Sequence, residues 1–405
     1  MANYTLNALD PARFMSRLAE RQAHIEQAPA APLPKDYEVN ALARALHPNR
    51  QYLKITNVID QGEDCKSFEL RPDPARGTEQ CAYFSSGQYL TVFLDIDGMP
   101  VTRAYSISSS PKEALEGKYV LTVKYAKGGL VSRYILDHWT VGTQVETSGP
   151  EGTFEYQPLR DAKAVIGVAG GSGITPFLSL AKAIADGDEN FNLILLYGSR
   201  TADSILFRQE FDGLAARCDK IKPVYVLSHE EKEGYEHGFV TAGLIRKYAP
   251  EGEFSVFLCG PQAMYDFVDG ELEKLNLAPK YVRHELFGEF HNPKSCADYP
   301  AGAPDTVQIT VSVHGEKKTV TGSANDSILQ TLERNGIAAP ARCRSGECGW
   351  CHSRLVSGKV YIPKKLDGRR MADEPYGYIH PCCSFPLSDI EIEVPAIKRE
   401  QHIFK

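Results

Sequence analysis

The sequence predicts a multidomain chain with an antiparallel β-barrel, an α/β domain built on a parallel sheet, a small α+β domain, and a helical extension in front of them. The chain has 405 residues, which is enough for about two to four domains. Its hydrophobic pattern changes near Ala162 from short successive strands to strands that alternate with helices. Half of its ten cysteines crowd into the last quarter of the chain, where a third pattern begins.

The composition narrows the class of protein. Hydrophobic residues make up 42% of the chain and charged residues 24%, as in ordinary globular proteins. A net charge of -7 argues against a nucleic-acid partner, which would require a basic surface. No apolar run approaches the roughly 18 residues of a membrane span, and the N-terminus lacks the basic and apolar regions of a secretory signal. We therefore expect a cytoplasmic protein without a membrane span.

Residues 1–48 are predicted to form the helical extension. Residues 12–26 have helical periodicity, residues 28–34 are a linker rich in alanine and proline, and residues 39–46 form a second helical stretch. Two interpretations are open for this extension. It is either a cap that packs on the main body or an arm that docks a partner protein.

Residues 49–160 are predicted to form the barrel. Short β-branched or aromatic runs separated by turn residues cover 52–59, 68–71, 89–96, 103–107 and 119–125, which is the spacing of an antiparallel barrel or sandwich.

Residues 161–288 alternate between strands (164–169, 192–197, 222–227, 255–259) and helices (176–185, 207–216), which indicates a parallel sheet with crossover helices. Residues 289–304 are rich in Pro, Gly, Asn and Asp and are predicted to be a linker. The last domain, 305–405, is predicted to contain a hairpin over 307–320, a helix over 327–335 and a strand over 390–394.

The strongest motif is a cysteine loop in the last domain. Cys343, Cys348 and Cys351 have the spacing C-x4-C-x2-C, and Cys382 follows thirty-one residues later. This is the ligand pattern of a plant-type [2Fe–2S] cluster. A zinc site is the alternative, but zinc sites favour two close pairs of cysteines. Clustered cysteines in a cytoplasmic protein also favour metal binding over disulfides.

Residues 305–396 resemble the plant-type ferredoxins, on this spacing and on the segment Ser384-Phe-Pro-Leu-Ser-Asp389. The resemblance implies a β-grasp-like fold. It also implies that the fourth ligand is Cys382, four residues before Pro386, and not the adjacent Cys383. One departure is Trp350, where the family usually has a small residue; it either packs against its own chain or marks a docking surface.

Two motifs in the barrel indicate a flavin site. One is Arg103-Ala-Tyr105-Ser106, and the other is Lys127-Gly-Gly-Leu-Val-Ser132. Together they resemble the ferredoxin–NADP reductase superfamily. The resemblance implies that Arg103 binds the flavin phosphate, that Tyr105 stacks on the isoalloxazine and that Ser106 contacts N5. It also implies phosphate binding at a helix that opens at Gly128 and Gly129 and includes Ser132. The expected flavin is FAD, with FMN as the alternative.

A glycine loop between a strand and a helix indicates a nucleotide site. Gly171 and Gly173 allow a close approach of the backbone to a pyrophosphate. Thr175 is predicted to be the N-cap of the helix and Pro176 its first residue. After the next strand, Ser199 and Arg200 stand where an NAD-specific protein tends to carry an acid, which favours NADPH and leaves NADH open.

Two further segments resemble parts of the same superfamily. In Cys259-Gly260-Pro261, the resemblance places the cysteine beside the nicotinamide. In Glu285-Leu-Phe287, it implies an acid and an aromatic ring that close over the flavin. Ser106, Cys259 and Glu285 are therefore the expected catalytic residues.

Residues 50–396 as a whole resemble the three-module reductases that serve oxygenases. The resemblance implies an NAD(P)H-dependent oxidoreductase that passes electrons from the nicotinamide through the flavin to the cluster and on to a separate protein, either a terminal oxygenase or another redox enzyme. A second hypothesis is an electron-transfer subunit of a larger redox complex with an acceptor that is not an oxygenase; the N-terminal extension favours it. A redox-sensing binding module is a third.

Overall fold

The structure is a computed structural model that describes residues 9–28, 37–62, 64–286, 288–313 and 315–395. Two compact units divide the chain between Ala43 and Arg44. The helices α1 (Leu9–Gln27) and α2 (Glu38–Leu46) confirm the two helices predicted in the extension. Large apolar side chains on α1, such as Phe14 and Leu18, are exposed. Both interpretations of the extension stay predictions. No helix in the described ranges is both long and apolar enough to cross a membrane.

The first domain of the second unit is a closed antiparallel barrel, as the sequence predicts. Its strands run in the order β4-β3-β6-β1-β2-β5, and an isolated bridge between Ile107 and Leu121 closes the sheet on itself. The hairpin between β3 and β4 turns on Asp97 and Gly98, both with positive φ (54° and 81°), as a two-residue turn of type I′ requires. The elements are β1 (Gln51–Asp60), β2 (Cys65–Pro72), β3 (Tyr89–Ile96), β4 (Met99–Ser106), α3 (Pro111–Leu115), β5 (Tyr119–Lys124), α4 (Leu130–His138) and β6 (Gln144–Glu151).

The second domain has the predicted parallel sheet, with the strand order β10-β9-β8-β7-β11-β12. One hydrophobic cluster centred on Phe177 and Phe191 and another that includes Val256 and Tyr265 form its core. The carboxyl ends of parallel strands lie on one edge of the sheet, where such folds bind their ligands. The elements are β7 (Ala164–Gly170), α5 (Thr175–Asp186), β8 (Asn192–Ser199), α6 (Arg208–Arg217), β9 (Ile221–Leu227), β10 (Glu236–His237), α7 (Ala242–Tyr248), β11 (Ser255–Cys259), α8 (Gln262–Glu273) and β12 (Val282–Glu285).

A buried ion pair ties the second domain to the end of the barrel. Arg283 on β12 binds the carboxylate of Asp161 through two N–H groups, and a third N–H donates to the carbonyl oxygen of Thr153 at 2.8 Å. Both charged side chains are nearly inaccessible to solvent. Because a buried charge is costly unless it is paired, this contact fixes β12 against the chain that leaves the barrel.

The third domain is a five-stranded mixed sheet, in the order β14-β13-β19-β15-β17, with a two-stranded sheet of β16 and β18 beside it. Its helix begins with a capping box in which Ser327 and Gln330 satisfy each other's backbone N–H groups. The predicted hairpin, helix and last strand are confirmed. The elements are β13 (Thr306–Val313), β14 (Glu316–Ser323), α9 (Ile328–Arg334), β15 (Ser353–Ser357), β16 (Val360–Tyr361), β17 (Tyr378–Ile379), β18 (Phe385–Pro386) and β19 (Ile390–Glu393).

The segment predicted as a linker, 289–304, is packed rather than loose at its start. Phe290 is 6% exposed and meets the ring of Phe385 edge to face, with the centroids 6.0 Å apart. The residues just after Gly288 therefore belong to the core of the third domain. The boundaries assigned to the domains stay predictions.

Candidate functional site

The loop from Cys343 to Cys351, here called the cysteine loop, folds back on itself through three residues in the left-handed region. Arg344, Gly346 and Gly349 have φ values of 62°, 88° and 72°. A side chain on Gly346 would collide with the carbonyl oxygen of Leu366, and one on Gly368 would collide with that of Gly346. The loop is therefore wrapped tightly and pressed against residues 366–368, which is why glycine is required there.

The four predicted ligand sulfurs form two pairs. The backbone N–H of Cys348 donates to Sγ of Cys343 at 3.4 Å, and a side-chain hydrogen bond from Cys348 lowers the pKa of the Cys343 thiol while burial opposes it. Sγ of Cys351 lies 3.4 Å from Sγ of Cys382. Two thiolates for each of two irons is the arrangement that a [2Fe–2S] cluster requires.

A zinc site would need all four sulfurs around one ion. The two pairs of sulfurs therefore fit two irons better than they fit one zinc ion.

Cys383 makes its closest hydrogen-bond contacts with the backbone of His380. Its N–H donates to the carbonyl oxygen of His380 at 3.0 Å, and its Sγ approaches the same oxygen at 3.5 Å. The side chain is 1% exposed and belongs to the core of the third domain. The structure thus places Cys382, and not its neighbour, beside Cys351.

Trp350 packs against its own chain and is also partly exposed. Its ring packs against its own chain, since the guanidinium of Arg342 lies 3.5 Å from the ring centroid. The ring nevertheless stays 40% exposed. Whether a partner uses the exposed part stays a prediction.

The flavin motif lies on β4. The hydroxyl oxygen of Ser106 is buried and has no hydrogen-bond partner among the described residues. Tyr105 packs against the barrel core, and its burial raises the pKa of its phenol. Arg103 donates to the carbonyl oxygen of Thr102 at 2.7 Å. Ser106 thus offers a buried hydroxyl without a partner, on the same strand as the ring of Tyr105 and the cation of Arg103. A polar aromatic ligand would supply the missing hydrogen-bond partner.

The second flavin segment opens α4, with Gly129 as its N-cap. Gly128 has a φ of 74°. A side chain on Gly129 would lie 2.9 Å from the carbonyl oxygen of Ala126. The hydroxyl oxygen of Ser132 accepts the N–H of Ala126 at 3.1 Å, which leaves its proton free to donate. The helix start is thus shaped to meet an anion.

The nucleotide loop lies at the carboxyl end of β7. Gly171 has a φ of 54°, and its carbonyl oxygen accepts the hydroxyl of Tyr197 at 3.0 Å. A side chain on Gly173 would collide with the backbone of Cys259 and Gly260. The nucleotide loop and the turn that follows β11 therefore pack backbone against backbone, and Gly173 is needed for that contact.

The prediction that Thr175 caps α5 is wrong. Ile174 holds the N-cap position, Thr175 is already helical, and its hydroxyl donates to the carbonyl oxygen of Ser172 at 3.0 Å. The reason is a single 3₁₀ turn over Gly171–Ile174 that runs directly into the helix. Pro176 still stands in the first turn, where its missing N–H costs nothing.

The remaining predicted residues lie at the carboxyl ends of neighbouring strands. Ser199 ends β8 and is half-buried, while Arg200 is exposed. Cys259 ends β11 and lies opposite Glu285 at the end of β12. Burial raises the pKa of the Cys259 thiol, and burial with the nearby Glu347 and Cys343 raises that of the Glu285 carboxyl. Gly260 and Pro261 follow Cys259 into the start of α8. Phe287 lies outside the described residues.

Tyr89 is a residue that the sequence motifs do not reveal. It lies at the start of β3, is 4% exposed, and packs its ring against Gly152. Burial raises the pKa of its phenol, and the neighbouring Cys343, Cys348 and Glu285 raise it further. Tyr89 therefore stands where the barrel, β12 and the cysteine loop meet. No local sequence pattern indicates that Tyr89 lies at this meeting point, because the meeting point is formed by segments that are distant along the chain.

Three features together indicate the class of iron–sulfur flavoprotein reductases. They are a barrel with an unpartnered buried serine, a parallel sheet with a glycine loop, and a loop of paired cysteines. Three family models match the three domains. They are the oxidoreductase FAD-binding domain over residues 53–156, the oxidoreductase NAD-binding domain over 168–270 and the 2Fe-2S iron-sulfur cluster binding domain over 311–387.

Three relatives match almost along their whole length. The ferredoxin reductase component of 3-ketosteroid-9-alpha-monooxygenase from Mycobacterium tuberculosis (strain CDC 1551 / Oshkosh) is 30% identical over 346 residues, which is 83% of this chain and 93% of that protein. The glycine betaine monooxygenase reductase subunit of Pseudomonas aeruginosa (strain UCBPP-PA14) is 28% identical over 85% of this chain and 95% of its own. The crystal structure of phthalate dioxygenase reductase superposes with a TM-score of 0.59 and 27% identity, covering 86% of this chain and 98% of that one.

The chain belongs to this family of three-module reductases of the ferredoxin–NADP reductase superfamily. It is an oxidoreductase that uses NAD(P)H, FAD and one [2Fe–2S] cluster. The predicted class of protein, fold and cofactors are confirmed.

The paired sulfurs predict different outcomes for two adjacent substitutions. Cys383→Ser should keep the visible bands of the [2Fe–2S] cluster, because Cys382 is the residue whose Sγ pairs with that of Cys351, while Sγ of Cys383 meets the carbonyl oxygen of His380. Cys382→Ser should lose the cluster or shift its spectrum, because an alkoxide is a harder ligand than a thiolate. Absorption and circular dichroism spectra of the two purified variants check this. Loss of the bands in Cys383→Ser alone would reverse the assignment.

Proposed function

We propose that this chain carries electrons from NAD(P)H, through its flavin and its cluster, to a separate protein acceptor of the oxygenase type in the cytoplasm. The cysteine loop meets the barrel where Arg342, next to Cys343, pairs with Glu151 at the end of β6. The nucleotide domain reaches the same place, because a side chain on Gly152 would contact the ring of Tyr89 and lie 3.9 Å from Oε1 of Glu285. The three sites are thereby brought to a common junction, as a relay of electrons between them requires.

In this proposal, residues of the barrel hold the FAD. Arg103 and the start of α4, with Gly128, Gly129 and Ser132, bind the phosphates. Tyr105 stacks on the ring of the flavin. The buried hydroxyl of Ser106, which has no hydrogen-bond partner among the described residues, bonds to N5 of the flavin. Phe287 is proposed to cover the ring.

The nucleotide binds at the carboxyl edge of the parallel sheet. Gly171, Gly173, Thr175 and Pro176 accommodate its pyrophosphate at the turn that leads into α5. Cys259, Gly260 and Pro261 lie beside the nicotinamide. Ser199 and the exposed Arg200 bind the 2′-phosphate of NADPH.

Glu285 is proposed to handle protons at the junction. Its carboxyl is buried, and burial raises its pKa, which favours the protonated form that is able to donate. Cys343, Cys348, Cys351 and Cys382 hold the cluster. When bound, the flavin accepts hydride and the cluster passes single electrons; the protein supplies position and polarity.

The acceptor is proposed from the relatives, which are reductase partners of monooxygenases and a dioxygenase. A permanently bound acceptor would instead make this chain a subunit of a larger redox complex. Size-exclusion chromatography of the native protein, purified from its own cells, separates the two. A single chain of 44.8 kDa supports a diffusing acceptor, while a stable heteromer contradicts it.

Removing one ligand tests the route through the cluster. Cys351→Ser should still reduce ferricyanide with NAD(P)H, because that reaction needs the flavin alone. It should lose the reduction of cytochrome c, a one-electron protein acceptor, because the cluster is the proposed exit. Cys218→Ser, at a half-buried cysteine outside the cysteine loop, is the matched control and should keep both activities. If Cys351→Ser reduces cytochrome c as fast as the parent, the electrons leave from the flavin and the route is wrong.

The nucleotide preference depends on Arg200. Losing a charge-assisted contact costs about 1.5–3 kcal/mol, so Arg200→Ala should lower kcat/KM for NADPH by about 10- to 150-fold. The value for NADH should hardly change, since NADH has no 2′-phosphate. Steady-state kinetics with both nucleotides measure this, and equal losses for the two would show that Arg200 does not contact the 2′ position.

A further inference from the structure

The cysteine loop contains a buried arginine that no metal ligand role explains. Arg344 follows Cys343, is 1% exposed and has left-handed backbone with a φ of 62°. Its guanidinium donates two hydrogen bonds to the carboxylate of Glu333 on α9, at 2.7 and 2.9 Å. It also contacts the carboxylate of Glu289. A buried charge is costly unless it is paired, so these carboxylates stabilise Arg344 at this depth.

The same two carboxylates also face the barrel. Arg103 of the flavin motif lies 3.8 Å from Glu289 and 3.9 Å from Glu333. Both glutamate side chains are nearly buried, at 11% and 12% exposed, and that of Arg103 is 24% exposed. Two arginines and two glutamates therefore form one balanced cluster of charges, here called the charge bridge.

The charge bridge connects the two proposed redox sites by their own residues. Arg103 stands two positions before Tyr105 on β4, and Arg344 is bonded along the chain to a cysteine of the loop. Glu333 lies on α9 of the third domain, and Glu289 lies in the segment that leads into that domain. Arg344 is buried and Arg103 partly so, and both guanidinium groups face these carboxylates, so the charges favour the arrangement in which the loop lies against the flavin motif.

We propose that Glu333 and Glu289 are positioning residues for electron transfer between flavin and cluster, because together they hold Arg344 of the cysteine loop against Arg103 of the flavin motif. This inference rests on the proposed function. The step that they serve moves one electron from the flavin to one ferric ion of the cluster, which becomes ferrous, and no bond to the protein forms or breaks. The glutamates act through the two arginines and touch neither redox group.

The test is Glu333→Gln in the full-length protein, followed by anaerobic stopped-flow absorption after mixing with NAD(P)H. The rate at which the flavin is reduced should stay that of the parent. The later rate at which the cluster is reduced should fall by about tenfold, since a charge-assisted contact is lost. The cluster content and its electron paramagnetic resonance spectrum should be unchanged. Hydrogen–deuterium exchange of the amides of residues 341–351 should rise.

Glu391→Gln is the matched control, because it removes the carboxylate of an exposed ion pair with Lys317 in the same domain; neither rate should change. Glu289→Gln is the second variant, to be used also if Glu333→Gln loses its cluster or fails to fold. If both glutamates act in one network, the double variant should lose less than the product of the two single effects.

A parental rate of cluster reduction in Glu333→Gln, or in Glu289→Gln where the first variant does not fold, would overturn the inference. A loss that only follows cluster content would overturn it too, because it would show a structural role. The proposed function fails separately, if NAD(P)H does not reduce the flavin and then the cluster in the parent protein.

Discussion

The wrapped backbone of the cysteine loop is the constraint on which the rest of the structure depends. To bring sulfurs from three positions of a nine-residue stretch to one side, the chain adopts left-handed geometry at Arg344, Gly346 and Gly349. Two of these positions use glycine, which adopts that geometry without strain. The third is an arginine, and its conformation is held by the ion pairs at the end of its side chain. The tight wrap thus places a charge inside the protein, and two glutamates, Glu333 of the same domain and Glu289 of the segment before it, neutralise that charge.

The other two domains meet the cysteine loop from different directions. The barrel contributes Tyr89, at the start of β3, and Arg103, within the neighbouring strand β4. The parallel sheet contributes Glu285 at the carboxyl end of β12, directly opposite Cys259. Ligands of such sheets bind at that edge, so the proposed nucleotide site lies at the same edge of the sheet as Glu285. A buried pair between Arg283 and Asp161 fixes β12 against the chain that leaves the barrel.

Much of the fold could be predicted from the sequence, because its signals are local. The spacing of Cys343, Cys348 and Cys351 is a property of one loop, and the strands of the barrel and sheet follow from alternation within a few residues. The role of Thr175 was mispredicted because a 3₁₀ turn before it is not visible in the residue types. The charge bridge was not predicted, for another reason. Arg103 is far along the chain from Glu289, Glu333 and Arg344, and an isolated charged residue usually indicates an exposed surface.

We infer that one chain holds both a flavin and a cluster and that electrons from the nicotinamide reach the cluster. An anaerobic titration of the full-length protein with NAD(P)H, followed by visible absorption and low-temperature electron paramagnetic resonance, measures both. The protein should take up one electron more than its flavin alone accepts, and the signal of a reduced [2Fe–2S] cluster should appear in step with that electron. Complete bleaching of the flavin with the cluster still oxidised, when NAD(P)H is in excess, would show that electrons do not pass from the flavin to the cluster.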